Sequence, residues 1–127
     1  MKKEINSSNA PEPIGPYSQA IAANGMLYVS GQIAINRATG QLMISDIATE
    51  TQQVMKNLQA ILSEAGIGFE QVVKCSIFLS NMEDFGTVNE IYGQHFGNPA
   101  PARETVAVKT LPKNVNVEIS CIAYLPA

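Results

Sequence analysis

The sequence predicts an α+β fold in which two helices cover one face of a mixed, mostly antiparallel sheet. Segments 26–33, 73–79 and 115–125 alternate apolar and polar residues with a period of two, whereas 49–65 and 85–96 repeat apolar residues at helical spacing. Extended segments come first, followed by helix, strand, helix and closing strands, an order that favours antiparallel pairing over a regular alternation of strand and helix. The 127 residues have the length of one domain, 1–127, and 46% of them are hydrophobic, enough for a core. Only 15% are charged, below the roughly 25% of ordinary soluble domains. Some of that weakly charged surface is therefore expected to be covered by other subunits.

Residues 1–18 carry Pro11, Pro13, Pro16 and Gly15, so the segment reads as irregular, with Ile14 and Tyr17 as apolar anchors. From Met26 to Ile33, Leu27, Val29, Gly31 and Ile33 share one face and Tyr28, Ser30 and Gln32 the other. Ala38-Thr39-Gly40 reads as a turn before a short extended piece at 42–44. Between Thr49 and Ala65 one helical face holds Val54, Leu58, Ile61, Leu62 and Ala65, with Gln53, Lys56, Asn57 and Glu64 mostly off it. Thr49-x-x-Gln52 reads as a capping box with Asp46 as a competing cap, and Gly66 and Gly68 as the stop.

Val73, Cys75, Ile77 and Leu79 then alternate with Lys74, Ser76 and Phe78 as a half-buried strand. The second helix starts from Asn81 or Asp84, carries Phe85, Val88, Tyr92 and Phe96, and ends at Gly97-Asn98-Pro99. Thr105 to Lys109 is a short strand behind Pro99-Ala-Pro101, and 111–114 a loop. The last strand buries Val115, Val117, Ile119, Cys121, Ala123 and Leu125 and turns Asn116, Glu118, Ser120, Ile122 and Tyr124 the other way. That second face must meet water or another subunit.

Eight Lys and Arg against eleven Asp and Glu leave a net charge of −3, which disfavours nucleic-acid partners because phosphate neutralisation supplies most of that affinity. The two N-terminal lysines precede no apolar run, so neither a secretory signal nor a membrane span is expected. Cys75 and Cys121 fall on apolar faces and read as buried thiols of a cytoplasmic protein. His95 is the one histidine, near the end of the second helix, where a cation suits the helix dipole. A metal cluster or a Ser–His–Asp arrangement lacks partners, no phosphate-cradling glycine loop is present, and no lysine sits in Schiff-base surroundings. No cofactor is implied.

Two charged residues stand out. Arg103 follows two prolines at a strand entrance, where its planar fork suits a carboxylate. It also reads as a surface cation paired with Glu104 or Asp84. Glu118 lies on the polar face of the last strand and reads either as a functional carboxylate or as an ordinary outward charge. Tyr17 reads equally as an apolar anchor, Ser30-Gly31 as a strand residue with a bulge, and Asn89 and Tyr92 as exposed and core helix positions.

Taken together, Ile14-Gly-Pro-Tyr-Ser-Gln-Ala20, Val29-Ser-Gly-Gln-Ile33, Phe85 with Val88-Asn89 and Tyr92, Pro101-Ala-Arg103 and Val117-Glu-Ile119 resemble the YjgF/YER057c/UK114 family of reactive intermediate deaminases, in order over nearly the whole chain. The resemblance implies a chorismate mutase-like α+β fold, assembled as a homotrimer with clefts at the subunit interfaces. It also implies hydrolysis of enamines and imines such as 2-aminoacrylate and 2-aminocrotonate to 2-oxo acids and ammonia. By position Arg103 would bind the carboxylate and Glu118 would position water, while Tyr17, Ser30, Gly31, Asn89 and Thr105 would line the cleft.

Three residues depart from the family pattern. Glu104 replaces a small residue beside Arg103, Thr105 stands where several members carry cysteine, and Arg37 lies in a loop where proline is common. In an extended segment Glu104 should point away from Arg103. The resemblance leaves a second class open, a protein that binds 2-oxo acids or amino acids without turnover and needs the cation but no water-directing carboxylate. RNA-directed activity attributed to some relatives fits the acidic charge less well, and chaperone behaviour, attributed to others, would require exposed apolar surface.

Overall fold

The computed structural model describes residues 1–127. Strands β1 (Lys3–Ile5), β2 (Ala20–Ala23) and β3 (Met26–Gln32) precede helix α1 (Ile47–Glu64), which is followed by β4 (Val72–Leu79), α2 (Phe85–Gly93), β5 (Ala102–Ala107) and β6 (Val117–Tyr124). All six strands form one sheet of order β1-β2-β3-β6-β4-β5. Every pairing is antiparallel except β4 with β5. This is the expected α+β architecture, with α1 and α2 packed together over one face. No helix is long and apolar enough to cross a membrane.

The core lies between the helices and the sheet. Val54, Leu58, Ile61 and Leu62 of α1 meet Leu27, Ile77, Ile119 and Cys121 of the central strands, all of them buried. Cys75 and Cys121 are free, buried and directly opposite one another in the β4–β6 register. Removing such apolar surface from water is the dominant drive to fold, and its alternation along β4 and β6 is why these strands were legible.

Several boundaries differ from the sequence reading. The Lys3–Ile5 stretch, read as irregular, pairs as an edge strand with β2. Helix α1 begins two residues before Thr49, because the Asp46 side chain accepts the Thr49 N–H at 2.7 Å; Asp46, not the Thr49 box, is the cap. That bond holds the Asp46 carboxyl below its ordinary pKa. Helix α2 ends at Gly93, three residues short of Phe96, although Phe96 still packs on Tyr92 with ring centroids 4.6 Å apart. Of the two expected caps, Asn81 accepts the Glu83 N–H at the start of a 3₁₀ turn, and Asp84 makes no capping bond. β5 starts at Ala102, so Arg103 lies inside a strand and not ahead of one. His95 lies just past the end of α2, as expected, with its ring tucked against Phe69, 5.2 Å between centroids, and burial lowers its pKa.

Two bulges shift the alternation. Between Val29 and Gln32 the register against β6 slips by one residue, which turns Gln32 into the core side instead of Ile33. A second slip between Val72 and Lys74 buries Val72 and leaves Val73 exposed.

Polar groups of α1 are also buried, among them Asn57, which the pattern placed off the core, and Glu50, four residues before Val54. Asn57 is 1% exposed and donates through Nδ2 to the carbonyls of Ile33 and Ile35, both at 3.0 Å, tying α1 to the segment after β3. Its removal leaves two carbonyls without their donor, so Asn57→Ala should lower the unfolding free energy by about 2–4 kcal/mol, read from urea denaturation. Glu50, wholly buried, accepts from Asn116 N, Asn116 Nδ2 and Val117 N at 2.7, 2.8 and 3.1 Å. It fixes the start of β6, one residue before Glu118.

Candidate functional site

The sheet divides the chemistry-bearing residues between its two faces. Arg103 of β5 stands in register with Cys75 of β4, which pairs with Cys121 of β6, so its side chain lies on the helix-covered face at the sheet edge. There Nη1 donates to Asn89 Oδ1 at 2.6 Å, and the guanidinium carbon lies 5.1 Å from the Tyr92 ring centroid and 5.6 Å from that of Phe85. Phe85, Asn89 and Tyr92 follow the i, i+4, i+7 spacing that aligns them on one face of α2. An aromatic pair and an amide thus hold the guanidinium in a set pose, using cation–π attraction and one charge-assisted hydrogen bond.

Arg103 forms no ion pair. The chain's salt bridges join Arg37 to Glu12 and Lys74 to Glu104. Glu104 points to the opposite side of β5, as alternation requires, where Ser76 and Lys74 hold it and keep its pKa low. Thr105 shares the Arg103 face two residues along, and its Oγ1 is buried with no hydrogen-bond partner. A fixed cation without a carboxylate, next to an unpaired hydroxyl, is suited to receive an anion.

Glu118 occupies the other face. Val117 and Ile119 on either side of it are buried toward the helices, so the Glu118 side chain leaves β6 in the opposite direction. It lies against Gly31, in the β3 bulge, and lines a cleft of about 410 Å³ with Tyr17, Gln19, Ser30, Gly31 and Ile33 among its walls. Partial burial pushes the Glu118 carboxyl above the ordinary glutamate value. A Cβ at position 31 would sit 2.7 Å from Glu118 Cδ, so glycine is what lets the carboxylate lie over the strand. Gly31→Ala should therefore displace Glu118 with little loss of Tm, since the clash falls on the far end of a side chain; an NMR titration of the Glu118 carboxyl beside a melting curve checks this.

The remaining expected residues take definite places. Ser30 Oγ donates to the Ser18 carbonyl at 2.6 Å, and Ser30 N donates to Gln19 O at 2.9 Å, so Ser30 fastens the Tyr17–Gln19 segment to the bulge. Tyr17 is half exposed, and its hydroxyl accepts a long 3.4 Å bond from Ile14 N. Within one chain Tyr17, Ser30, Gly31 and Glu118 come together, as do Arg103, Asn89 and Thr105, while the two groups lie on opposite faces of the sheet. Sequence reasoning left Phe85 and Tyr92 without a role at Arg103, although their helical spacing with Asn89 carried that signal. Gln19 and Gln32 were given no role, although the bulge read at Ser30-Gly31 is the one that turns Gln32 inward.

The comparisons show the family and the fold. The family model described as endoribonuclease L-PSP matches residues 7–125. A RutC family protein of Pyrococcus horikoshii is 48% identical over 124 residues, covering 98% of this chain and 98% of its own. The 2-iminobutanoate/2-iminopropanoate deaminase of Mus musculus is 44% identical over 123 residues, covering 97% of this chain and 91% of its own. Among solved structures, the Rid family protein YyfA of Yersinia pestis superposes with a TM-score of 0.96 at 49% identity, covering 98% of this chain and 100% of its own. E. coli TdcF with bound serine superposes with a TM-score of 0.92 at 34% identity, covering 98% of this chain and 99% of its own. With the Gly31–Glu118 cleft and the Arg103 edge set in a matching sheet, this chain belongs to the endoribonuclease L-PSP family, also called the YjgF/RidA family.

Proposed function

We propose that this chain hydrolyses enamine and imine intermediates, 2-aminoacrylate and 2-aminocrotonate, to 2-oxo acids and ammonia, without metal or cofactor, in the cytoplasm. The observation that carries this reading is the division of the site: a preset cation without an anion on one face, and a carboxylate of raised pKa without a cation on the other. Each is half of what a small imino acid needs. We infer that a homotrimer brings the Arg103 edge of one protomer to the Glu118 cleft of the next, with the 127 residues acting as one domain.

The chemistry requires only positioning and proton transfer. Arg103 holds the substrate carboxylate through its fork, with Thr105 Oγ1 beside it. The enamine takes a proton from solvent at its terminal carbon and becomes the protonated imine. Water then adds to the C=N carbon while Glu118 accepts a proton from it. The carbinolamine collapses as Glu118 returns that proton to the departing nitrogen and the hydroxyl proton passes to solvent, leaving the C=O of the 2-oxo acid and releasing ammonia. A carboxylate of raised pKa is suited to both transfers near neutral pH.

The family description names an RNA-cleaving activity. Here the acidic balance and the pairing of Arg37 and Lys74 with carboxylates favour a small substrate over a polyanion. Binding without turnover is the second reading, and the serine bound to TdcF favours it. The test is release of ammonia and 2-oxo acid from 2-aminoacrylate generated in situ by a dehydratase. Decay faster than the uncatalysed rate supports hydrolysis; decay at the background rate together with saturable 2-oxo acid binding supports the second reading.

A further inference from the structure

We propose that a second cavity, remote from Glu118, binds a small dianion that competes with Glu12 for Arg37. The cavity, about 360 Å³, lies between the outer face of α1 and the segments around Asn9 and Asn36. Its walls include Asn9, Asn36, Arg37, Gln53, Lys56 and Asn57, and no carboxylate or aromatic ring is among its lining residues. In a chain of net charge −3 two cations therefore line one concave surface beside the Asn9 and Asn36 amides, while Asn57 Nδ2 is taken by the Ile33 and Ile35 carbonyls and Gln53 donates to Asn57 Oδ1. Its size falls within the roughly 300–1,000 Å³ of small-molecule sites, so the occupant is a metabolite-sized anion and not a macromolecule.

The cations differ in how they are held. Lys56 makes no ion pair, and its helical neighbours Gln52, Gln53, Gln59 and Ala60 are uncharged. Arg37 is fixed at the mouth: Nη1 donates to the Ala10 carbonyl at 2.5 Å and Nη2 to Glu12 at 3.2 Å. The Glu12 side chain is 74% exposed against 31% for Arg37, so the acid is the member free to leave, and exposed pairs of this kind are weak. Asn36 accepts the N–H groups of Ala38 and Thr39 through Oδ1, which leaves its NH₂ as a donor toward the cavity ligand. A planar guanidinium, an unpaired ammonium and an amide donor match a phosphate or a dicarboxylate.

The same contacts separate the two cavities. Glu12 lines the Glu118 cleft, whereas Arg37 lines the second cavity. Capture of Arg37 by an anion therefore releases Glu12 at the rim of that cleft, where a loose negative charge opposes an incoming carboxylate.

The test titrates ¹⁵N-labelled full-length protein with inorganic phosphate and, separately, with malonate, at ionic strength held constant with sodium chloride. Saturable shifts of the Asn9, Asn36 and Gln53 side-chain amides and of Arg37 Nε are expected with at least one of the two, and which one saturates identifies the dianion. Lys56→Gln, on an exposed helical surface, should weaken binding by about tenfold or more, the loss of one charge-assisted hydrogen bond. Glu12→Gln should tighten it. Shifts that chloride alone reproduces, that fail to saturate with both dianions, or that Lys56→Gln leaves unchanged would overturn the proposal, whatever the fate of the deaminase reading.

Discussion

Arg103→Ala should lower kcat/KM for 2-aminoacrylate by about 10²–10⁴-fold, the loss expected for two charge-assisted hydrogen bonds at about 1.5–3 kcal/mol each. The cation is held by Asn89 and the Phe85 and Tyr92 rings with no protein carboxylate opposite, so truncation removes substrate contacts and breaks no ion pair. Tm should change little, because Arg103 lies at the sheet edge, only half buried. Arg103→Lys keeps the charge but loses the fork, and should recover only part of the rate. Kinetics of the three proteins with melting curves as a control decide the matter: an alanine variant retaining most of the wild-type kcat/KM would remove Arg103 from the site.

Glu118→Gln should reduce kcat by about 10²–10⁴-fold, the span of general acid–base catalysis, while 2-oxo acid binding changes far less. Because burial raises the Glu118 pKa, the acid limb of the wild-type kcat profile should lie above the 4.5 of an ordinary glutamate and vanish in the variant. The same substitution should alter stability. A carboxyl whose folded pKa is raised favours the fold when protonated, and this contribution is lost as pH rises through the folded pKa. At neutral pH the wild type thus carries the cost of a half-buried charge that the neutral amide of Glu118→Gln avoids. The variant should melt above the wild type at pH 7, with the gap closing as pH falls below the ordinary carboxylate range. Stability and activity would then move in opposite directions, as expected of a group placed for chemistry. A variant that keeps its rate, or a wild-type acid limb no higher than a free glutamate, would instead make Glu118 an ordinary outward charge.

How much could be read beforehand follows from which interactions are local. The α+β class, the α1 face of Val54, Leu58, Ile61 and Leu62, and the alternation of β4 and β6 were legible because burial imposes periods of 3.6 and 2 on nearby residues. That Glu104 turns away from Arg103 was legible for the same reason. The motifs around Tyr17, Arg103 and Glu118 identified the family, now shown by the match over residues 7–125. Where the chain competes with itself, pattern alone was insufficient: Asp46 and Thr49 both offered a cap, and only the backbone path into α1 decided for Asp46.

Other features arise from contacts between residues distant in sequence. A bulge at Ser30-Gly31 was one of the readings the sequence offered, but its register against β6 is what turns Gln32 inward and lets Glu118 lie over Gly31. What Asn57 and Glu50 do is not legible on the helix until the carbonyls of Ile33 and Ile35 and the amides of Asn116 and Val117 are brought to them. The sequence by itself determined the two helices, the central strands β3, β4 and β6 and the family, since these follow from local periodicity and short motifs, but not the edge strands β1 and β2. Only the tertiary structure placed Arg103 and Glu118 on opposite faces of one sheet, because the face on which a strand residue emerges depends on register with strands far away in the chain.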